Sequence, residues 1–287
     1  MTPMGRTLMV QGCASSVGKS LITAALCRIL AQDGWQVAPF KAQNMGSRSL
    51  TVGGKEISAV QAMQAQAAGV PPCPEMNPIL QKPITDTVAE VIVMGESIGK
   101  LSVKEYFHFK RTQGKAIVAD ALQRLRRRFD IIMLEGGGSP AEINLREHDL
   151  VNMGAANLAD APVLLVGDID RGGVFAYITG TMLLLTTEER NRIKAVVINK
   201  FRGEISLLEP GLLMLEEKIR RPILGVIPHI SDLCLPQAEE LHVTNGGQIK
   251  STEASYQDTY DRLAQIVRES ISMDLLYEIV GLPSGRT

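Results

Sequence analysis

Apolar positions along the chain cluster in short runs separated by longer amphipathic stretches. Runs at 7–11, 36–40, 130–134, 162–167, 195–199 and 223–227 are rich in Val, Ile and Leu and show little polar alternation. Strands buried on both faces have this pattern, as in a parallel sheet covered by helices. Between them, apolar residues recur at helical spacing over about 18–33, 56–69, 103–128, 173–185 and 209–219. The alternation predicts an α/β, doubly wound, mostly parallel sheet, whose ligands lie beyond the carboxyl ends of the strands. Residues just after each run are therefore the first to inspect.

After the first run comes Gly12-Cys13-Ala14-Ser15-Ser16-Val17-Gly18-Lys19-Ser20, which opens the first helical stretch. Strand, Gly-bounded loop and helix is the setting of a phosphate-binding loop. Amide N–H groups at the helix start, together with its dipole, favour an anion there. Lys19 can reach terminal phosphates, and the Ser20 hydroxyl can ligate Mg²⁺. Five residues rather than four separate Gly12 from Gly18, so the loop is a lengthened variant of the common pattern. The competing reading is a Gly-rich turn without a ligand.

Other strand ends carry chemistry too. Lys41 follows the second run, where it can neutralise a carboxylate or a transferring phosphoryl group, or lie on a surface loop. Glu56 stands near a predicted helix start, where it either complements the dipole or binds metal. Glu135 ends a buried run and precedes three glycines. A carboxylate there needs a cation or donors, and Mg²⁺ suits it. The alternative is an acidic cap. Asp168-Ile169-Asp170-Arg171 offers either substrate or metal contacts or an internal Asp–Arg pair. The Asn199 amide, next to Lys200, can both donate to and accept from a base edge. The histidines at 108, 148, 229 and 242 show neither ligand nor triad spacing.

Composition narrows the class. A formal net charge of −1, from 30 basic and 31 acidic residues, offers no field for nucleic acid or membrane. The basic run at 124–128 suits a solvated helix end. Four scattered cysteines without a CxxC pair argue for a reducing compartment and against zinc or a disulfide framework. With neither a signal-peptide pattern nor an apolar run of membrane-spanning length, a cytoplasmic location is expected.

Several motifs occur in order over about residues 6–236. They are Gly12-x5-Gly-Lys-Ser, Lys41-Ala-Gln-Asn-Met, Asn77-Pro-Ile-Leu-x-Lys-Pro, Glu135-Gly-x-Gly-Ser-Pro-Ala-Glu-Ile-Asn-Leu, Asp168-Ile-Asp-Arg-Gly-Gly-Val-Phe, Ile198-Asn-Lys-Phe-Arg-Gly and Pro222-x-Leu-Gly-x-x-Pro. Together they resemble the synthetase domain of the cobyric acid synthases, and more distantly dethiobiotin synthetase, which shares the lengthened loop. The resemblance implies a P-loop, dethiobiotin-synthetase-like fold and a carbon–nitrogen ligase of cobalamin biosynthesis. Such an enzyme uses ATP and Mg²⁺ to amidate peripheral carboxylates of adenosylcobyrinic acid a,c-diamide through acyl phosphates.

By the same resemblance, Lys19 and Lys41 are the catalytic candidates. Nucleotide contacts are expected at Gly12, Ser15, Ser16, Val17, Gly18, Lys19, Ser20, Leu21, Asn199 and Lys200, and metal contacts at Ser20, Glu56 and Glu135. Substrate contacts are expected at Gln43, Asn44, Ser139, Asp170 and Arg171. Cys13 stands where the family usually has Thr, and Gly46-Ser47-Arg48-Ser49 replaces a more typical Ser-x-Asn-Ser.

Family members also carry a glutamine-hydrolysing domain with a cysteine nucleophile. No cysteine follows Cys234 here. The expected organisation is a synthetase domain over 1–236, a junction over 237–253 and a helical tail over 254–287. Ammonia would then come free or from a separate glutaminase subunit, and a homodimer is left open. Two rival readings are an ATP-driven switch of the partitioning type and an inactive corrinoid- or nucleotide-binding module. Against the switch, Val10-Gln11-Gly12-Cys13-Ala14 lacks the lysine such proteins carry near the start of a shorter loop.

Overall fold

The computed structural model describes residues 4–231, 241–243, 249–251 and 255–283. Part of the expected junction 237–253, and Cys234, lie outside these residues. β1 (Arg6–Gly12) leads through the Gly-bounded loop into α1 (Lys19–Gln32), then β2 (Val37–Phe40). β9 (Ile131–Glu135), β10 (Val163–Asp168), β11 (Ile193–Phe201) and β12 (Ile223–Pro228) complete a six-stranded sheet. Its order is β12-β11-β10-β1-β9-β2, and every pairing is parallel. Consecutive residues of β2, β9 and β10 are all buried. Since successive side chains point to opposite faces, both faces of the sheet are covered.

The helices alternate with these strands as the periodicity requires. They are α4 (Lys115–Arg126), α5 (Met153–Ala159), α6 (Val174–Leu184), the short α7 (Thr187–Arg192) and α8 (Ile205–Ile219). α8 begins one turn before its expected start at 209.

Between β2 and α4 the chain makes a second layer that the periodicity misses. β3 (Gln43–Met45), β6 (Ile79–Pro83), β7 (Val88–Val93) and β8 (Glu96–Ser102) form a separate four-stranded sheet in the order β3-β6-β7-β8. β4 (Ser49–Val52) and β5 (Lys55–Ser58) form a hairpin, closed by Gly53 and Gly54 at φ of +56° and +79°. β7 is half-buried and β8 largely exposed, and their apolar residues are interrupted by Glu90, Glu96 and Lys100.

The hairpin also corrects the helix expected from 56. Residues 55–58 pair with β4, so α2 (Ala59–Ala67) starts three residues later, capped by Ser58. Glu56 is consequently a strand residue. The single helix expected over 103–128 is α3 (Val103–Phe109), a π-helical turn at Lys110–Gly114, and α4. α3 starts with a capping box between Ser102 and Glu105.

After the short antiparallel pair β13 (Leu241–Val243) and β14 (Ile249–Ser251), the chain ends in α9 (Ser255–Ser270) and α10 (Met273–Val280). α9 lies on α1, burying Tyr260, Leu263 and Val267. The Tyr260 hydroxyl donates to Gln66 Oε1 at 2.9 Å, and Asp261 pairs with Arg28 at 2.7 Å. Asp33 is held by Arg268 at 2.6 Å and by the Tyr277 hydroxyl. No helix among the described residues is long and apolar enough to cross a membrane.

Candidate functional site

Strand register brings the site together. Val10 of β1 pairs with Glu135 of β9, and Phe40 of β2 pairs with Leu134. Lys41, one residue beyond Phe40, therefore stands level with Glu135, and its Nζ lies 2.7 Å from Glu135 Oε1. On the other flank, Gly12 pairs with Val166, and Asp168 with Asn199. Residues far apart in sequence thus share one sheet edge, immediately above the loop at 12–20.

That loop is shaped by its glycines. Gly18 is the N-cap of α1 at φ +99°, and a Cβ there would meet Asn199 Nδ2 at 2.2 Å. No side chain caps α1, so its first amides face the site. Lys19 is buried, and its ammonium donates to the carbonyls of Ala14 at 3.0 Å and Gly138 at 2.9 Å. Burial, then repulsion from Lys41, holds its pKa below the usual lysine value.

Two residues of β11 brace the loop from the side. Asn199 donates through Nδ2 to the Val17 carbonyl at 2.8 Å, and Lys200 donates to the Ser16 carbonyl at 2.8 Å. Lys200 also pairs with Asp168 at 2.6 Å. Cys13, the second residue of the loop, is buried, and burial pushes its thiol pKa up to about 11.

Glu135 is the buried acid of the site. Its Oε1 accepts from Lys41 and, at 2.8 Å, from the Ser20 hydroxyl; Oε2 accepts from Gln64 Nε2 at 2.6 Å. Burial alone would raise its pKa. The Lys41 charge and the three hydrogen bonds outweigh burial and hold it below the usual carboxylate range. Lys19 and Lys41 thus flank one buried carboxylate, Glu135, beside free helix amides. Ser20 Oγ and the Glu135 carboxylate are adjacent hard oxygen donors. That set suits Mg²⁺, which commonly takes one or two protein oxygens and completes its shell with phosphate and water.

A cleft of about 650 Å³ opens from this point, reaching the loop at Ser15 and the strand end at Lys41. One wall is the second sheet, including Gln43 and Asn44; another is the segment 137–153, including Ser139; α3 closes the end. Tyr106 is buried in that end wall, and its hydroxyl has no hydrogen-bond partner among the described residues. Lys110, from the π-helical turn, stands 5.8 Å from the ring centroids of both Tyr106 and Phe107. Burial lowers its pKa, with Asp149 opposing. Asn152 latches the glycine run, accepting from Gly137 N at 3.1 Å and donating to Gly137 O at 2.6 Å.

The structure therefore gathers Lys19, Ser20, Lys41 and Glu135 at one point, with Gln43, Asn44 and Ser139 on the adjoining cleft. It places three expected site residues elsewhere. Glu56 accepts from Ser49 and pairs with Lys82, because the hairpin turns it toward β6. Asp170 pairs with Arg202 at 3.0 Å, and Arg171 approaches Asp168 at 3.9 Å; neither lines the cleft. For these two the internal-pair alternative describes the observed contacts. Sequence reading missed Gln64, Tyr106 and Asn152. For Gln64 a signal existed: glutamines at 61 and 64 lie on the apolar face of a short helix, where an amide needs a partner.

Backbone amides at a helix start, buried ammonium groups and a strand-end carboxylate, disposed on the edge of a parallel sheet, define a P-loop nucleotide-binding domain. The match to known proteins is in agreement. Residues 8–243 match the CbiA family, the CobQ/CobB/MinD/ParA nucleotide binding domain, and the chain belongs to that family.

Among curated relatives, the cobyric acid synthase of Caldanaerobacter subterraneus subsp. tengcongensis is 56% identical over 228 residues, 79% of this chain and 45% of that protein. The cobyric acid synthase of Clostridium acetobutylicum is 55% identical over 225 residues, 78% of this chain and 46% of that protein. The chain thus spans about half the length of the curated relatives it matches. Of solved structures, the signal recognition particle receptor FtsY of Elizabethkingia anophelis in complex with GDP has a TM-score of 0.48 at 14% identity. That alignment covers 91% of this chain and 64% of FtsY.

Proposed function

We propose that the domain uses Mg-ATP to activate peripheral carboxylates of a corrinoid, adenosylcobyrinic acid a,c-diamide, for conversion to amides in cobalamin biosynthesis. The observation that carries this reading is the placement of Lys41. It stands on the Glu135 carboxylate and also lines the cleft, so one ammonium faces both the phosphate end and the acceptor space. The relatives' names supply the substrate class.

The residues divide the work as phosphoryl transfer requires, by positioning and charge neutralisation. The loop amides and Lys19 hold the phosphate chain, and Asn199 and Lys200 keep the loop in shape. Ser20 and Glu135 would hold Mg²⁺, which would offset negative charge on the phosphate end of the nucleotide. Lys41 orients an acceptor carboxylate, whose oxygen attacks the γ-phosphorus and releases ADP. Ammonia then attacks the acyl carbon, phosphate leaves, and the amine loses a proton to give the amide. The walls bearing Gln43, Asn44, Ser139 and Tyr106 orient the rest of the acceptor. Ammonia, free or supplied by a glutaminase, provides the amide nitrogen.

The test is ADP release and amide formation by pure protein, with the diamide, ATP and Mg²⁺, and with either ammonium or glutamine. Corrinoid-dependent ADP release with ammonium, and none with glutamine alone, is expected. Nucleotide binding without corrinoid-dependent ADP release would overturn the ligase reading. ATP-driven dimerisation in its place, followed by light scattering, would favour the switch.

A further inference from the structure

A line of three side-chain amides runs from the cleft wall to Glu135. Asn44 Nδ2 donates to Gln61 Oε1 at 2.9 Å, Gln61 Nε2 to Gln64 Oε1 at 3.3 Å, and Gln64 Nε2 to Glu135 Oε2 at 2.6 Å. Gln64 Nε2 also donates to the Ser20 carbonyl at 3.2 Å. Gln61 and Gln64 have no exposed surface, so neither can substitute water for a lost partner.

The direction of the line is forced from its charged end. An ionised carboxylate only accepts, so Gln64 must present its nitrogen to Glu135 and its oxygen to Gln61. Gln61 must then donate to Gln64 and accept from Asn44. Turning Gln61 or Gln64 sets like ends against each other at each of its contacts in the line. The line therefore has one self-consistent arrangement, and its aligned dipoles favour negative charge on Glu135.

Both ends are anchored. Asn44 Nδ2 also donates at 2.6 Å to Ser58 Oγ, the N-cap of α2, and Asn44 Oδ1 accepts from Met45 N at 2.9 Å. α2 acts as a bar, tied to the cleft wall at its cap and to Glu135 and the Ser20 backbone at its middle. Amides carry no transferable proton, so what the line transmits is orientation.

We propose that Gln64, backed by Gln61 and Asn44, is a positioning residue that sets the Glu135 carboxylate for the metal-bearing phosphate end. It rests on the reading that Ser20 and Glu135 hold Mg²⁺ beside a nucleotide. The experiment is calorimetric binding of ADP with and without Mg²⁺, using Gln64→Met, which keeps the volume and removes both donors. Metal-free ADP affinity should stay within about twofold of wild type. The Mg²⁺ enhancement should fall roughly tenfold, as expected for losing a hydrogen bond to a charged group.

Gln61→Met, which interrupts the line one step away, should give a smaller loss in the same direction, and thermal unfolding checks that both variants fold. If Gln64→Met does not fold, Gln61→Met carries the test. Wild-type Mg²⁺ enhancement in a folded Gln64→Met, or in Gln61→Met where Gln64→Met fails to fold, would overturn the proposal. A wild-type protein whose ADP affinity ignores Mg²⁺ would overturn the metal reading beneath it, independently of any corrinoid turnover.

Discussion

The two halves of the site are built on different principles. At the phosphate end, the chemistry sits where parallel strands stop, and register alone aligns it: Val10 with Glu135, and Lys41 one residue past Phe40. Its side chains are buried and locked, Lys19 on two carbonyls and Glu135 under three donors. The cleft end is assembled from three separate segments, the second sheet, the 137–153 segment and α3. It retains two groups without a hydrogen-bond partner among the described residues, the Tyr106 hydroxyl and Gln43 Oε1. At the phosphate end the charged side chains are already held in place and the free amides of α1 are fixed by the helix, so the end is preorganised for a ligand such as a phosphate chain. An end with orphan polar atoms has its partners still to come from a ligand.

The sharpest break of this contrast is Lys41→Ala, because Lys41 belongs to both ends. Turnover should fall about 10²–10³-fold, the effect of removing one preorganised charge-stabilising group, about 3–4 kcal/mol. Nucleotide affinity should change far less, since Lys19 and the loop amides remain. Steady-state kinetics beside a binding titration reads both, and unchanged turnover at saturating acceptor would make Lys41 a purely structural partner of Glu135.

A smaller effect, confined to the cleft, is expected of Tyr106→Phe. It removes a hydroxyl that has no partner among the described residues, so thermal stability should hold or rise slightly. The acceptor KM should rise several-fold, about 1 kcal/mol for one neutral hydrogen bond, with ADP affinity unaffected. A fall in ADP affinity would mean that the two ends are not separable.

The smallest effect lies away from both ends, on the helix that backs α1. Hydrogen bonding from Arg28 holds the Asp261 carboxyl below its ordinary value, although the side chain is nearly half exposed. A depressed folded pKa adds stability above the unfolded value of about 3.9, and that stability is lost as pH falls through the folded value. Exposure limits it to a fraction of 1 kcal/mol. Asp261→Asn should therefore melt slightly lower than wild type near neutral pH, and the gap should close in acid below about pH 4. A gap that widens in acid would contradict the sign.

Much of the phosphate end was legible because its determinants are local. A glycine-bounded loop, a lysine after one apolar run and a glutamate closing another are each readable within ten residues. Glu56 misled for the opposite reason. Its helical neighbourhood was real from Ala59 onward, but the hairpin with Ser49–Val52 captured residues 55–58 and sent the carboxylate to Lys82. Asp170 and Arg171 sit at the right sheet edge, yet Asp170 is engaged by Arg202, just past the neighbouring strand, and Arg171 approaches Asp168, three residues before it.

The chain by itself determined the parallel sheet, the order of its strands and helices along the chain, and the identity of the phosphate loop. Those follow from uninterrupted apolar runs and from glycines where the backbone must approach an anion. Only the tertiary structure decided that the half-polar strands between β2 and α4 would form a second sheet and, with the 137–153 segment, enclose a cleft. It also decided that Gln64, an unremarked amide on an apolar helix face, would meet Glu135 across 71 positions of sequence. The physical reason is that a buried polar group is satisfied by whatever the fold brings within hydrogen-bonding distance, and nothing in its own neighbourhood of sequence names that partner.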